Sequence, residues 1–155
     1  MPIRRANAVD SEAIATVLRD SFREVEHLYT RAGYAATTPD ASVVRERLKD
    51  GPTWIAEDAG FPVGTVSAVL RDLDLYIRSM AVTPTARGRR FGHSLFAEAL
   101  NLAVERKARR IYLSTTPFLF SAIRLYESLG FRRTGEGPDE LFGTPLLTMA
   151  KQLVR

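Results

Sequence analysis

Six consecutive residues, Arg87-Gly88-Arg89-Arg90-Phe91-Gly92, combine the two things a pyrophosphate-binding turn requires, a pliable backbone and positive charge. They follow an extended run, Leu75 to Val82, and a Pro84 turn, and they open a helical pattern from Gly92 to Lys107. The N-terminus of a helix leaves backbone N–H groups without intrahelical partners and carries partial positive charge, so it attracts anions. Gly88 and Gly92 allow a tight turn and let the backbone approach a phosphate with no Cβ in the way. Arg87, Arg89 and Arg90 add guanidinium donors suited to phosphate oxygens.

Periodicity lays out the elements that must hold this turn. Pro2 to Ala6 reads as a short strand. Asp10-Ser11-Glu12 starts a helix, and Ile14, Val17, Leu18, Phe22 and Val25 recur at helical spacing, which predicts a helix from Ser11 to about His27. Leu28 to Thr38 is irregular. A second helix follows Pro39 or Asp40, carries Val43, Val44 and Leu48, and ends at Asp50-Gly51-Pro52. Thr53 to Glu57 and Val63 to Leu70 are strands flanking a hairpin loop, Asp58-Ala59-Gly60-Phe61-Pro62, and Leu75 to Val82 is a third. The helix after the arginine turn puts Phe91, Leu95, Ala99 and Leu102 on one stripe. Arg110 to Thr115 is a strand, and Ser121 to Leu129 is a helix stopped by Gly130. Phe131 to Thr134 and Leu146 to Leu153 close the chain as strands. The order β-α-α-β-β-β-α-β-α-β-β predicts a mixed α/β domain with helices on both sheet faces.

Composition narrows the chemistry. At 155 residues the chain suits one domain over 1–155. It has no cysteine, which removes disulfides, thiolate nucleophiles and cysteine-ligated zinc. His27 and His93 are far apart in sequence, so no metal is expected. No window approaches the roughly 18 apolar residues of a membrane span, and the N-terminus lacks the apolar run of a signal peptide, so cytosol is the default and no membrane partner is expected. Net charge is +4, clustered at Arg87 to Arg90, at Arg106-Lys107-Arg109-Arg110 and at Arg132-Arg133. The second cluster is explained by cations favouring a helix C-terminus. The first lacks interleaved aromatics for base stacking, so nucleic acid is not an expected partner.

A second motif follows the arginine turn: Ala122-Ile123-Arg124-Leu125-Tyr126-Glu127-Ser128-Leu129-Gly130-Phe131. In this order and spacing, Met80-Ala81-Val82 leading into Arg87 to His93, and then this motif, resemble the GNAT acetyltransferase superfamily over most of the chain. The first segment is similar to that family's acetyl-coenzyme A pyrophosphate loop, and the second to its A-I-x-L-Y-E-x-x-G-F motif. The resemblance implies a single GNAT-like domain of mixed α/β (α+β) class. Its central, mostly antiparallel sheet would have about six to seven strands, splayed at the cofactor site. It also implies acetyl-CoA as cosubstrate, bound by Met80, Ala81, Val82, Arg87, Gly88, Arg89, Arg90, Phe91, Gly92, His93, Leu119, Ala122 and Tyr126. There are two departures. The family loop usually runs R-x-x-G-x-G or R-x-x-G-x-A, and Arg90 stands at the middle glycine, where its N–H remains usable provided φ stays negative. Leu119 stands where the family often has Asn, which removes one polar contact to the cofactor arm.

The implied activity is direct transfer of an acetyl group from the thioester to a primary amine in a ternary complex, and the absence of cysteine agrees with that. Backbone groups of Met80, Ala81 and Val82 would hold the pantetheine arm as an added strand, with the Val82 amide beside the thioester carbonyl. On spacing alone Tyr126 belongs to an apolar helical stripe with Ala122, Leu125 and Leu129 and reads as core. The family motif instead places its hydroxyl at the thioester sulfur. A phenol of pKa about 10 against a thiol of about 8.5 there allows proton donation or a hydrogen bond. Ser79, on the strand before the loop, is the residue that would orient a water toward the amine. Glu24, Glu26, His27 and Glu57 are further bases by residue type, each read more readily as an ordinary surface residue. His93 reads as a cofactor contact or bystander. Specificity would come from His27 to Thr38, with Tyr29 and Tyr34, and from Glu136 to Pro145, with Asp139, Glu140 and Phe142, where acids beside aromatics suit a cationic amine. The acceptor, small molecule or protein amine, does not follow from the sequence, and a homodimer stays open. A coenzyme A-binding or sensing module without turnover is the alternative.

Overall fold

The computed structural model describes residues 2–153. A seven-stranded sheet runs through it in the order β1-β2-β3-β4-β5-β9-β6. The strands are β1 (Ile3–Arg5), β2 (Thr53–Asp58), β3 (Phe61–Arg71), β4 (Asp74–Val82), β5 (Arg110–Thr115), β6 (Arg132–Arg133) and β9 (Leu147–Gln152). A small hairpin, β7 (Glu140–Leu141) with β8 (Thr144–Pro145), stands apart from it. The helices are α1 (Ser11–Phe22), α2 (Arg31–Thr37), α3 (Ala41–Arg47), α4 (Phe91–Glu105) and α5 (Phe120–Ser128). Every neighbouring pair in the large sheet is antiparallel except β4 with β5. This is the mixed α/β, mostly antiparallel architecture expected above.

Alternation along the strands divides the core in two. Trp54, Ala56, Val66, Ala68, Leu75 and Ile77 join Leu95, Phe96, Ala99 and Ala103 of α4 and Ile123 and Tyr126 of α5 in one buried cluster. In the other, Ile55 and Ala81 meet Ile14, Val17 and Leu18 of α1 and Val44 of α3. The two clusters cover opposite faces because successive strand side chains point to opposite sides.

Two local features open the sheet. Thr65 pairs with Ala81 and Ser67 with Arg78, so Ser79 and Met80 together oppose Val66 in a β-bulge. Ser79 takes a left-handed conformation, φ 56°, and redirects the last three residues of β4. On the other side, β4 pairs with β5 only through Leu75↔Ile111, Tyr76↔Tyr112 and Ile77↔Leu113. Beyond Ile77 and Leu113 the two strands part.

Three segments differ from the sequence reading. The first helix stops at Phe22 and tightens into a 3-10 turn, Arg23–Leu28. The Ser21 carbonyl, which a continuing α-helix would offer to the Val25 N–H, accepts instead from Arg87 Nη2 at 2.7 Å. The stretch read as irregular contains α2, capped by the Thr30 hydroxyl accepting from the Gly33 N–H at 3.0 Å. The final loop contains the β7–β8 hairpin, turned by Phe142 and Gly143 with φ 49° and 89°. Thr144 Oγ1 joins hairpin and helix, accepting from the Thr30 N–H at 2.9 Å.

Candidate active site

A cleft of about 680 Å³ opens where β4 and β5 part, and the start of α4 forms its far wall. The residues at that wall come together for a local reason. Arg90 precedes α4 as its N-cap without a side-chain cap, so the helix's first N–H groups have no acceptor from that side chain. Gly92 sits against α5: a Cβ there would come within 2.8 Å of Leu125 Cδ2 and 3.4 Å of Met80 Cε. Gly88 takes φ 78°, a conformation that suits glycine. An uncapped helix end at one side and strand backbone without a β5 partner along the other can hold an anion and an extended chain together.

Met80, Ala81, Val82, Arg87, Gly88, Arg90, Phe91, Gly92, His93, Leu119, Ala122 and Tyr126 all line this cleft. Arg89 does not line it. Its guanidinium lies 2.7 Å from Asp58, whose carboxyl it holds below the usual range, and 5.3 Å from the centre of the Phe91 ring. Arg87 reaches the cleft, but its guanidinium is occupied: Nε donates to Val82 O at 3.1 Å, Nη2 to Ser21 O, and Nη1 to Glu24 Oε1. Arg87 therefore ties the loop to β4 and α1. The expectation that Arg90 keeps a negative φ is corrected, because it adopts φ 67° and ψ 15°. The turn demands the conformation that glycine would supply at that position, and the arginine takes it with a Cβ.

A second cavity of about 410 Å³ lies on the other side of the strand opening. Phe22, Met80, Leu119 and Tyr126 line both cavities, so these residues mark where the two meet. Tyr126 is 6% exposed and packs edge-on against Phe96, with ring centroids 5.6 Å apart. Burial, and secondarily the nearby Tyr29, push its hydroxyl well above the ordinary tyrosine range, so it stays protonated. The ring packs inward, as the core reading expects, and the residue also lines the junction of the two cavities.

The second cavity takes Tyr29, Ala36, Thr37, Gly137, Pro138, Glu140 and Leu141 from the segments expected to select the acceptor, and Ser79 lines it from β4. Tyr34, Asp139 and Phe142 from the same segments do not line it. Of the bases suggested by residue type, Glu26, His27 and Glu57 line neither cavity, and Glu57 pairs with Arg4 at 3.2 Å. Glu24 lines the first cleft as the partner of Arg87. Sequence reasoning missed Arg47, Arg71 and Arg78, which line the second cavity from α3, β3 and β4. Arg78 was visible as a residue of the strand before the loop. No spacing signal connects it with Arg47 and Arg71, which only the packing of α3 and β3 with β4 brings to the same cavity.

Comparison with known proteins places this geometry. The model of the Acetyltransferase (GNAT) family matches residues 13–131. The Escherichia coli (strain K12) protein described as uncharacterized N-acetyltransferase YjgM is 31% identical over 135 residues, 83% of this chain and 80% of that one. An N-acetylaspartate synthetase of Danio rerio is 36% identical over 88 residues, 56% of this chain. The chain spans only 31% of that relative's length. Among solved structures, a ribosomal-protein-alanine N-acetyltransferase from Brucella melitensis superimposes with TM-score 0.78 at 28% identity, covering 99% of this chain and 100% of that one. A PaiA N-acetyltransferase from Thermoplasma acidophilum, solved with coenzyme A, gives TM-score 0.82 at 15% identity, covering 98% of each chain, and shows a shared fold.

Proposed function

This chain belongs to the GNAT acetyltransferase family, and we propose that it transfers an acetyl group from acetyl-CoA directly to a primary amine. The observation that carries the reading is the junction: Tyr126 and Met80 line both the cleft that fits the donor and the cavity open to an acceptor. Acetyl-CoA supplies the activated thioester, so that a C–N bond forms as the C–S bond breaks. The uncapped N-terminus of α4 fits the pyrophosphate, and the β4 backbone beyond Ile77, free of β5, fits the extended arm.

Tyr126 then has one task, to offer its hydroxyl proton to the departing sulfur. Burial keeps that hydroxyl protonated, so it can donate to the sulfur as the C–S bond breaks. The cavity residues that would meet the amine include one carboxylate, Glu140, from the hairpin. The named activities of relatives concern different acceptors, N-acetylaspartate formation in one and a ribosomal-protein alanine in another. Both are N-acetylations, which supports the reaction class.

Thiol release from acetyl-CoA, measured against a panel of amines, amino acids, peptides and aminoglycosides, tests the proposal. Acetyl-CoA should bind, and one amine class should release free CoA. No calorimetric signal with acetyl-CoA or CoA at millimolar concentration would overturn it. Binding without turnover on any amine would favour a sensing module.

A further inference from the structure

The acceptor cavity has a charge pattern that the transfer chemistry alone does not require. Arg47, Arg71 and Arg78 line it, against a single lining carboxylate, Glu140. A cavity built only to admit a cationic amine would gather acids there, and this one gathers guanidiniums from three separate elements.

Their existing contacts leave much of that charge uncommitted. Arg47 is half-buried and makes one hydrogen bond, from Nη2 to Ala36 O at 3.3 Å, and no carboxylate lies within ion-pair distance of it among the described residues. Burial first, and then the neighbouring Arg78, disfavour its charged form, a situation that an incoming anion relieves. Arg78 pairs with Asp50 at 2.8 Å through Nη2, and the same nitrogen lies 3.3 Å from Arg47 O. Its Nε is buried with no hydrogen-bond partner. Thr148 Oγ1, on a residue only 4% exposed that also lines the cavity, likewise has none. Arg71 lies over Tyr76, its Cζ 4.1 Å from the ring centre. Buried donors without partners are costly, and a ligand oxyanion would satisfy them.

Resting on the transferase reading above, we infer that the acceptor is a small amine bearing a free carboxylate, an amino acid or close analogue. Arg47, Arg78 and Arg71 receive the carboxylate, and the amine lies toward Tyr126 and Met80. Size agrees: about 410 Å³ is within the range of small-molecule sites, and the cavity is bounded by Ala36 and Thr37 at the end of α2 and by Gly137, Pro138 and Leu141. Position agrees too. Arg78 and Met80, two residues apart across the bulge of β4, both line this cavity, so charge recognition and transfer share one small space. Glu140 on the hairpin complements the ammonium of a zwitterion.

The test compares initial rates of CoA release for the twenty α-amino acids, their α-carboxamides, simple alkylamines, phosphoethanolamine and short peptides, with acetyl-CoA held saturating. At least one free amino acid should be acetylated at least tenfold more efficiently than its carboxamide. Arg47→Gln should lower kcat/KM for that acid about 10- to 100-fold through KM and lower that for its carboxamide at least tenfold less. Arg71→Gln should act in the same direction, and Arg47→Lys should recover part of the loss. Calorimetric affinity for CoA should be the same in all three variants. Equal turnover of acid and amide, preference for alkylamines, phosphoethanolamine or peptides, or no amino acid turned over at all would overturn the inference. Failure of the transferase reading is separately visible as loss of CoA binding by the unaltered protein.

Discussion

Arg90→Gly provides a sharp test of how the cofactor turn is built. Arg90 holds φ 67° and ψ 15° as the residue before α4. A residue with a Cβ pays about 1–2 kcal/mol in that region. Glycine removes this cost but gains freedom in the unfolded chain, worth about 0.4–1 kcal/mol in the opposite direction. The guanidinium makes no ion pair or hydrogen bond among the described residues, so little else is lost on substitution. The net expectation is stabilisation of about 0.5–1 kcal/mol, seen as a Tm rise of about 1–4 °C for a chain of this size. Arg90→Ala is the control, because it removes the same charge and keeps the Cβ, and its Tm should not rise. Thermal unfolding of the ligand-free protein by circular dichroism reads both variants. CoA affinity should move oppositely, weakening by a few-fold in both variants as a cleft-lining charge is lost. A Tm for Arg90→Gly at or below that of Arg90→Ala would refute the reasoning, because backbone conformation would then not be what the turn demands.

Tyr126→Phe should lower kcat about 100-fold or more while calorimetric CoA affinity stays within twofold, because only the leaving-group contact is lost. Since the folded state holds the Tyr126 proton more tightly than the unfolded chain does, its contribution to stability is complete below pH 10 and declines as pH rises beyond it. It follows that urea midpoints should fall above pH 10 more steeply for the parent than for Tyr126→Phe, and that kcat should show no alkaline loss from this group below pH 10. Ser79→Gly separates backbone from hydroxyl: the bulge conformation, φ 56°, suits glycine, so retained activity would assign Ser79 a shaping role and a 10-fold or greater loss of kcat would assign its hydroxyl one. Gly33→Ala would drive a methyl into the Thr144 hydroxyl and within 2.9 Å of Leu141 O, pushing α2 away from the hairpin. It should raise the acceptor KM several-fold with little change in the acetyl-CoA KM, measured by thiol release.

The elements with a strong period were legible in the chain itself. The strand Arg110 to Thr115 and the helix beginning beside Gly92 are set by alternation and by an apolar stripe, which depend on neighbours a few residues away. The turn at the wall of the first cleft was legible for the same reason, since its arginines, its helix start and its glycines are contiguous. What lay beyond the sequence depended on distant partners. Arg87 carries the signature of a phosphate ligand, yet it is occupied by Ser21, Glu24 and Val82, two of them more than sixty positions away. Helix α2 has little apolar period, and Thr30 and Thr144, 114 positions apart, hold it to the hairpin. The three arginines of the second cavity share no motif, because a strand order that sets β3 beside β4, with α3 packed near, is what brings them to one cavity. Local physics determined the arginine-glycine turn before α4, and only the packing of α3 with β3 and β4 decided that Arg47, Arg71 and Arg78 line one cavity.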